Sequence, residues 1–317
     1  MDPTTRDPQP GAVACTTEQE TLGEGARWDA ERSEFLHVDI VRGLVWRHRV
    51  RSDGSLSLVR SYGIGEPVGA IAPIRGDDGW LLAAGRGFRH LAPDGTVSMI
   101  IDVAPLGARM NDAVCDAAGR CWAGSLADDH AAGGGALHRL HPDGTTDTVL
   151  DGLTIPNGIG WSPDGTTMYL IDSIPGVIHA FEHDPVTGSI GAGHELVRLK
   201  DGSGAPDGLT VDRAGRLWVA VYGGGCVHCY APDGRLEQVL QIPAEQTTSC
   251  AFAGPELDTM YVTTATENWS DERRRGEPAA GLVYRVDPGA SGHPATPFVP
   301  DPTWWAERHF PIVRTGA

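Results

Sequence analysis

Short apolar segments, each following a polar turn, recur along the whole chain. Within a segment, apolar and polar residues alternate over about four to eight positions, which is the pattern of a half-buried β-strand. Long stretches with apolar residues at helical spacing are scarce, so the pattern predicts an all-β protein. Copies of the turn and its apolar strand occur at residues 28–40, 77–85, 115–125, 161–173, 211–221 and 253–265.

A second hairpin follows each copy. Several of these hairpins turn through Pro-Asp-Gly or Asp-Pro, in which proline presets φ and glycine supplies a left-handed position. Two hairpins make a four-stranded unit, and the units begin roughly 40–50 residues apart, which is the period of propeller blades. The second hairpins cover residues 43–49, 87–100, 135–150, 176–190, 225–240 and 281–289.

The repeat predicts a six-bladed β-propeller with a central channel, formed by residues 12–317 as a single domain. Residues 1–11 are predicted to be a disordered N-terminal tail. Residues 12–20, together with the stretch near 295–315, are expected to close the ring. A large β-sandwich is the alternative, but repeated units of this order and spacing favour the propeller.

Polar residues occupy one equivalent position of the repeat, five residues before the turn, where the innermost strand of each unit begins. In a propeller, these strand starts surround one mouth of the central channel. This register distinguishes Asp207 from Asp94, Asp143 and Asp233, which lie within outer hairpins. The second unit has Ala72 at the position, and the other units have Glu24, Asn111, Asn157, Asp207 and Ser249.

The two carboxylates in this set have a chemical consequence. Carboxylates that converge in a channel repel each other and lose solvation, so one protonates unless a cation neutralises the pair. None of the equivalent positions carries lysine. Carboxylate and amide oxygens suit Ca²⁺, Mg²⁺ or Mn²⁺ and can also hold Zn²⁺ or Fe²⁺. We therefore expect one divalent ion with open positions, an arrangement that fits catalysis.

The charge balance narrows the class of partner. Asp and Glu number 42 against 25 Lys and Arg, which gives a formal net charge of −17. An acidic chain without a basic patch repels phosphate backbones and anionic lipids, so neither nucleic acid nor a membrane is an expected partner. The first residues show no signal-peptide pattern, and no apolar run reaches ~18 residues. These features predict a cytoplasmic protein with a small, neutral or cationic partner.

A series of motifs contains the polar positions. The motifs are Gly23-Glu24-Gly25-Ala26-Arg27-Trp28, Arg109-Met110-Asn111-Asp112, Pro156-Asn157-Gly158-Ile159, Pro206-Asp207-Gly208-Leu209 and Thr247-Thr248-Ser249-Cys250. Their order and spacing, from about residue 20 to 290, resemble the gluconolactonase, regucalcin (senescence marker protein) and luciferin-regenerating-enzyme family.

That resemblance implies a six-bladed propeller lactonase whose divalent ion is held by Glu24, Asn157 and Asp207. It also implies that Arg109 and Asn111 of the Arg-x-Asn-Asp motif contact the substrate. In the family, a further acidic residue reaches substrate hydroxyls. Its position falls on Asp129, where glutamate is more usual.

The expected function is metal-assisted hydrolysis of a sugar lactone to the aldonic acid. A neutral, hydroxyl-rich lactone suits an acidic protein with an oxygen-lined mouth. In this hypothesis the ion polarises the ring carbonyl, and Asp207 is the base that activates water. Arg109 and Asn111 hold the hydroxyls.

Three other classes of function stay open from the residues alone. A propeller hydrolase of phosphotriesters or aryl esters would use the same ion beneath a more apolar mouth. A calcium-binding regulatory protein without turnover would cage the ion fully. A protein-interaction propeller would expose an apolar patch at the mouth.

Overall fold

The described part of the chain is built from short antiparallel β-strands, which confirms the all-β prediction. The computed structural model describes residues 11–200 and 202–308, so residues 1–10 of the predicted tail lie outside the described residues. Within that part, four sheets contain four strands each and one sheet contains eight. The sheets of four are β2 to β5 (Gly23–Asp29, Glu34–Asp39, Leu44–Val50, Leu56–Gly63), β6 to β9 (Val68–Pro73, Trp80–Ala84, Gly87–Leu91, Val97–Asp102), β10 to β13 (Ala108–Cys115, Cys121–Ala127, Gly135–Leu140, Thr146–Leu153) and β14 to β17 (Pro156–Trp161, Thr167–Asp172, Val177–His183, Ile190–Arg198).

The eight-stranded sheet consists of two groups joined by a single pair of residues, Tyr222 and Gln246. Each group has the antiparallel order of the smaller sheets. The first group contains β18 to β21 (Ala205–Val211, Leu217–Tyr222, Cys226–Tyr230, Leu236–Gln241), and the second contains β22, β23, β24 and β1 (Gln246–Ala253, Thr259–Ala265, Tyr284–Val286, Val13–Ala14).

The first strands of the groups contact one another in cyclic order. β2 contacts β6, and the series continues through β10, β14, β18 and β22, which contacts β2 again. The sheets therefore surround a common axis in a propeller-like arrangement. Adjacent sheets bury aromatic side chains between their faces. Phe35 of β3 packs on Tyr261 of β23 with ring centroids 5.0 Å apart, and Trp218 packs edge-on against Phe252.

The two ends of the described chain behave differently. β1 pairs with β24, with Val13 opposite Arg285, so the N-terminal segment completes the last group as expected. Residues 295–308 do not add a strand to that group. Phe298 is fully buried and forms a bridge with Ile74 of the second sheet, where an aromatic side chain fills the core. The expectation that the C-terminal stretch closes the ring is wrong for these residues, and residues 309–315 lie outside the described part.

The recurring turn is stabilised by a buried carboxylate. Asp116 accepts hydrogen bonds from Arg120 Nε at 2.6 Å and from Trp122 Nε1 at 2.8 Å. Asp212 does the same with Arg216 Nε at 2.8 Å and Trp218 Nε1 at 3.0 Å. Because the tryptophan belongs to the second strand, the aspartate fixes the turn to the strand that follows it.

Residues 11–200 and 202–308 contain two short helices, both outside the sheets. α1 (Asp271–Gly276) begins after Ser270, whose side chain accepts from Arg273 N, and α2 (Pro302–Ala306) begins after Asp301, which caps Thr303 and Trp304. Among the residues that the structure describes, we find no helix with the length and apolar character needed to span a membrane.

Replacing Asp116 by alanine should destabilise the fold strongly, because it leaves the buried Arg120 without its carboxylate partner and Trp122 Nε1 without an acceptor. Removing one partner of a buried ion pair costs roughly 3–5 kcal/mol. Urea unfolding measures this loss. The control is Asp233→Ala, which removes an exposed turn aspartate that accepts from Arg235 N at 3.1 Å. Equal effects of the two substitutions would contradict the structural role assigned to Asp116.

Candidate functional site

The predicted site residues lie at irregularities of the first strands. Every first strand shifts register near its start, and such bulges redirect side chains. The bulges occur where the strands begin, and all of them except the one in β6 carry a polar side chain there. The shifts lie between Glu24 and Arg27, Val68 and Ala70, Met110 and Ala113, Asn157 and Ile159, Pro206 and Leu209, and Thr247 and Ser249.

The glycine after each of two site residues allows neighbouring first strands to approach closely. A Cβ atom at Gly158 would lie 2.6 Å from the carbonyl oxygen of Asp207, and one at Gly208 would lie 2.7 Å from Cα of Ser249. Both distances are far below ordinary contact. In each motif, the Asn or Asp supplies a side-chain oxygen, and the glycine that follows allows the next first strand to approach closely.

Glu24 and Asp207 form a buried carboxyl pair, as the sequence predicted. Their relative exposures are 6% and 5%, and each carboxyl group affects the ionisation of the other. Burial, together with the charge of Asp112, raises the pKa of Glu24 from 4.5 to about 8. Burial and the charge of Glu24 raise the pKa of Asp207 well above its usual range. Without a cation, the pair therefore retains a proton near neutral pH.

One oxygen of the pair has no hydrogen-bond partner. Asp207 Oδ1 is buried and accepts no hydrogen bond from any described residue. A buried acceptor without a donor is costly, and native structures rarely leave one. A cation at this oxygen would remove the cost and would also neutralise the repulsion between the two carboxylates.

Asn157 supplies an oriented amide oxygen beside the pair. Its Nδ2 donates to Ser173 Oγ at 2.9 Å, and that hydroxyl donates to Pro206 O at 2.7 Å. This fixes Asn157 Oδ1 on the opposite side, where it accepts from Asn111 Nδ2 at 2.7 Å and keeps a second lone pair. Two carboxylates and an amide oxygen fit a hard divalent ion. No group of three or more His, Cys, Asp or Glu side chains with metal-binding geometry occurs in the described part, so the amide is needed to complete the set.

Arg109 and Asn111 join the same network. Arg109 Nη1 donates to Asn111 Oδ1 at 2.9 Å, and Asn111 in turn donates to Asn157. Burial lowers the pKa of Arg109, whereas nearby carboxylates raise it, with Glu267 the strongest, followed by Glu24, Asp128 and Asp207. An arginine stays cationic in such a setting, so Arg109 places a positive charge beside the acid pair.

The structure does not bring Asp129 into this network. Asp129 is exposed, and its Oδ1 accepts from Ala131 N at 3.0 Å, a local turn contact. The preceding residue, Asp128, is the acid of this segment whose charge acts on Arg109. Contact between Asp129 and substrate hydroxyls stays a prediction and would require its carboxylate to leave the turn.

Residues that follow the second strands were missed by the sequence reasoning. Ser173 follows β15, Asp128 follows β11 and Glu267 comes shortly after β23, so all three lie at the end of the sheets where the first strands begin. Their position in the repeat could have indicated them, because antiparallel pairing puts the end of each second strand beside the start of its first strand. Asp112, the last residue of the Arg-x-Asn-Asp motif, also contributes charge to both Glu24 and Asp207.

A cavity lies at the other end of the channel. It has a volume of about 700 Å³ and is lined by the ends of the first strands, the turns and residues 293–297. Asp112 and Ser249 reach it, whereas Glu24, Asn157 and Asp207 do not line it. We place the candidate site at the strand starts because the unpartnered oxygen of Asp207 lies there, together with the side-chain oxygens of Glu24 and Asn157. The size of a cavity alone does not indicate a reaction.

Comparison with known proteins identifies relatives across the chain. Residues 22–266 match the family model described as the SMP-30/Gluconolactonase/LRE-like region. Pentonolactonase XacC of Haloferax volcanii is 34% identical over 277 residues, covering 86% of this chain and 93% of that protein. Regucalcin of Xenopus laevis is 32% identical over 284 residues, with 86% and 93% coverage. A solved structure of regucalcin from Agrobacterium tumefaciens, described as a calcium-binding protein, matches with a TM-score of 0.84, 25% identity, and 92% and 97% coverage.

The metal-free protein should lose stability as the pH rises from 6.5 to about 8. The raised pKa values of Glu24 and Asp207 mean that the folded chain holds protons that the unfolded chain has released, so unfolding is favoured as the pH rises through this window. His37 and His48, whose pKa values burial lowers from 6.5 to about 3, contribute in the opposite direction, but their contribution fades above pH 6.5 and is the same in the Glu24→Gln variant. Urea unfolding of chelator-treated protein measures the effect.

The matched variant is Glu24→Gln, which removes one of the two charges and should flatten the pH dependence. Saturation with a divalent ion should flatten it as well. A metal-free parent whose stability falls no more steeply with pH than that of Glu24→Gln over this window would contradict the shared-proton description of the pair.

Proposed function

The chain belongs to the SMP-30/gluconolactonase/LRE-like family, and from this premise we propose that it is a metal-dependent hydrolase that opens a sugar lactone to the aldonic acid. The observation that carries the proposal is the buried carboxyl pair of Glu24 and Asp207, with one oxygen unpartnered. A structural ion pair would have a cationic side chain at this place. Here the cationic side chain, Arg109, binds Asn111 instead and extends the polar mouth.

The proposed scaffold is a six-bladed β-propeller of residues 12–317 with the metal site in its central channel. The cyclic contacts of the first strands support this count of blades, since each first strand begins one antiparallel group. The pairing of β1 with β24 also supports it, because the N-terminal strand then completes the last group as its fourth strand. Six strands around the axis give enough converging positions for three ligands and two substrate-binding residues.

We propose that Glu24, Asn157 and Asp207 hold one divalent ion. Their oxygen atoms suit Ca²⁺, Mg²⁺ or Mn²⁺, and also Zn²⁺ or Fe²⁺. When bound, such an ion supplies Lewis-acid stabilisation of the negative charge that develops on the lactone carbonyl oxygen. The calcium-binding description of the Agrobacterium tumefaciens relative supports a divalent ion in this family without identifying the ion used here.

Substrate binding and proton transfer are performed by side chains of the protein. Arg109 and Asn111 bind substrate hydroxyls and orient the ring. Asp207 accepts a proton from water as the water oxygen bonds to the carbonyl carbon. The bond between that carbon and the ring oxygen then breaks, and the ring oxygen takes the proton and leaves as a hydroxyl. The product is an open-chain aldonic acid, so the reaction consumes one water and no other reactant.

A calcium-binding regulatory protein without turnover is the second candidate, favoured by the description of that structural relative. It predicts stoichiometric calcium binding with no lactone opening by any metal-loaded form. A phosphotriester or aryl-ester hydrolase fits less well, because Glu267, Asp128 and Arg109 make the mouth polar and charged.

Asp207→Asn should separate ion binding from proton transfer. The amide keeps an oxygen ligand but has no basicity, so the metal-loaded variant should open a pentonolactone 10²- to 10⁴-fold more slowly, the usual contribution of general-base assistance. Metal content by elemental analysis and the initial rate on the same sample give the two quantities.

The control for this substitution is Asp94→Asn, which changes an exposed aspartate in the same tripeptide, Pro-Asp-Gly, on an outer hairpin. It should retain the parental rate. A metal-loaded Asp207→Asn protein that works at the parental rate would limit Asp207 to a ligand and place the base elsewhere.

A further inference from the structure

Tyr222, Gln246 and Glu267 meet at the mouth beside the candidate metal site. β19 ends at Tyr222, β22 begins at Gln246, and Glu267 follows β23. Tyr222 pairs with Gln246 on one side and with Ala205 on the other. Ala205 opens the strand that carries Asp207, so the three residues lie at the same end of the sheets as the acid pair.

The side-chain amide of Gln246 binds the backbone of Glu267 through both its nitrogen and its oxygen. Gln246 Nε2 donates to the carbonyl oxygen of Glu267 at 3.0 Å, and Glu267 N donates to Gln246 Oε1 at 2.7 Å. This reproduces the pairing that a strand partner would provide at a position where β23 has already ended. The glutamate is therefore anchored, although it lies in a loop.

Tyr222 fixes the carboxylate of Glu267. The phenol donates to Glu267 Oε2 at 3.3 Å. Burial, together with the charge of Glu267, raises the pKa of Tyr222, so the phenol stays protonated and remains a donor. In the described part of the chain, no side chain donates to the other oxygen, Oε1, and Glu267 is partly exposed to the mouth.

The charge of the anchored carboxylate acts on Arg109, the proposed substrate-binding arginine. Among the carboxylates that act on Arg109, Glu267 acts most strongly, and its charge also reaches Asp207. Arg109 offers donors to a substrate hydroxyl, whereas Glu267 offers an acceptor. A polyhydroxylated ring between them could satisfy both, because each hydroxyl donates once and accepts as well.

We propose that Glu267, held by Tyr222 and Gln246, is a substrate-binding residue that selects hydroxylated lactones over unsubstituted ones. The inference rests on the proposed lactonase function and adds a specificity role to it. A lactone without hydroxyls would bring no donor to the carboxylate while displacing its water, and sites built to bind a hydroxyl reject analogues that lack it.

The test compares Glu267→Gln and Tyr222→Phe with the parent on two substrates, a pentonolactone and γ-butyrolactone. Loss of a hydrogen bond to a charged group corresponds to roughly 10- to 100-fold. We expect kcat/KM for the pentonolactone to fall by about that factor in Glu267→Gln, mainly through KM, and by less in Tyr222→Phe. The rate with γ-butyrolactone should change less than about twofold in both.

The matched control is Glu245→Gln. Glu245 precedes Gln246 in the chain, is exposed, and pairs with Arg273 at 2.5 Å. This substitution should leave both substrates unaffected. Thermal unfolding midpoints confirm that each variant folds. An unchanged pentonolactone KM in Glu267→Gln, or an equal loss on both substrates, would overturn the specificity role.

Failure of the proposed function is recognised separately. If the metal-loaded parent opens neither lactone, the lactonase proposal is wrong, and binding of a neutral pentitol by calorimetry then tests the subsite directly. Weaker pentitol binding by Glu267→Gln than by Glu245→Gln would still support hydroxyl recognition. Equal binding by the two variants would overturn it.

Discussion

Two carboxyl groups, on Glu24 and Asp207, are buried against each other at the mouth of the channel, and the rest of the site follows from how that pair is accommodated. Burial penalises both charges, and each charge penalises the other, so the pair exists either with a bound proton or with a cation. In a pair satisfied by hydrogen bonds alone, every buried oxygen would have a partner, but Oδ1 of Asp207 has none among the described residues. The nearby side-chain oxygens of Glu24 and Asn157 suit a metal ion, so we propose that the pair is part of a metal site.

The fold makes this unfavourable juxtaposition possible because its stability lies elsewhere. Aspartates of the recurring turn, such as Asp116 and Asp212, bind an arginine and a tryptophan at the far end of the first strands. Aromatic and aliphatic side chains fill the spaces between sheets. The bulged strand starts are thus free to carry polar groups, and glycines such as Gly158 let those groups approach one another. Stabilising and functional positions are separated along the same strand.

Much of this could be predicted from the sequence, because the repeat fixes register. The shared offset before each turn identified Glu24, Asn157 and Asp207, and the structure brings Glu24 and Asp207 into contact and joins Asn157 to Asn111. Residues beyond the offset were harder to find. Glu267 reaches the mouth through a side-chain contact with Gln246, which no local pattern encodes. In the segment after β11, the acid whose charge acts on Arg109 is Asp128 and not the expected Asp129, although both residues are exposed. The path of residues 295–308 depended on the burial of Phe298, a tertiary contact.

We propose that a divalent ion occupies the space bounded by Glu24, Asn157 and Asp207. Anomalous diffraction from crystals of the Mn²⁺-loaded protein tests this placement, because the signal locates the metal independently of any atomic model. We expect one strong peak within coordination distance of oxygens from all three side chains. A fully active protein whose Mn²⁺ peak lies elsewhere, or that shows no peak between these residues, would contradict it.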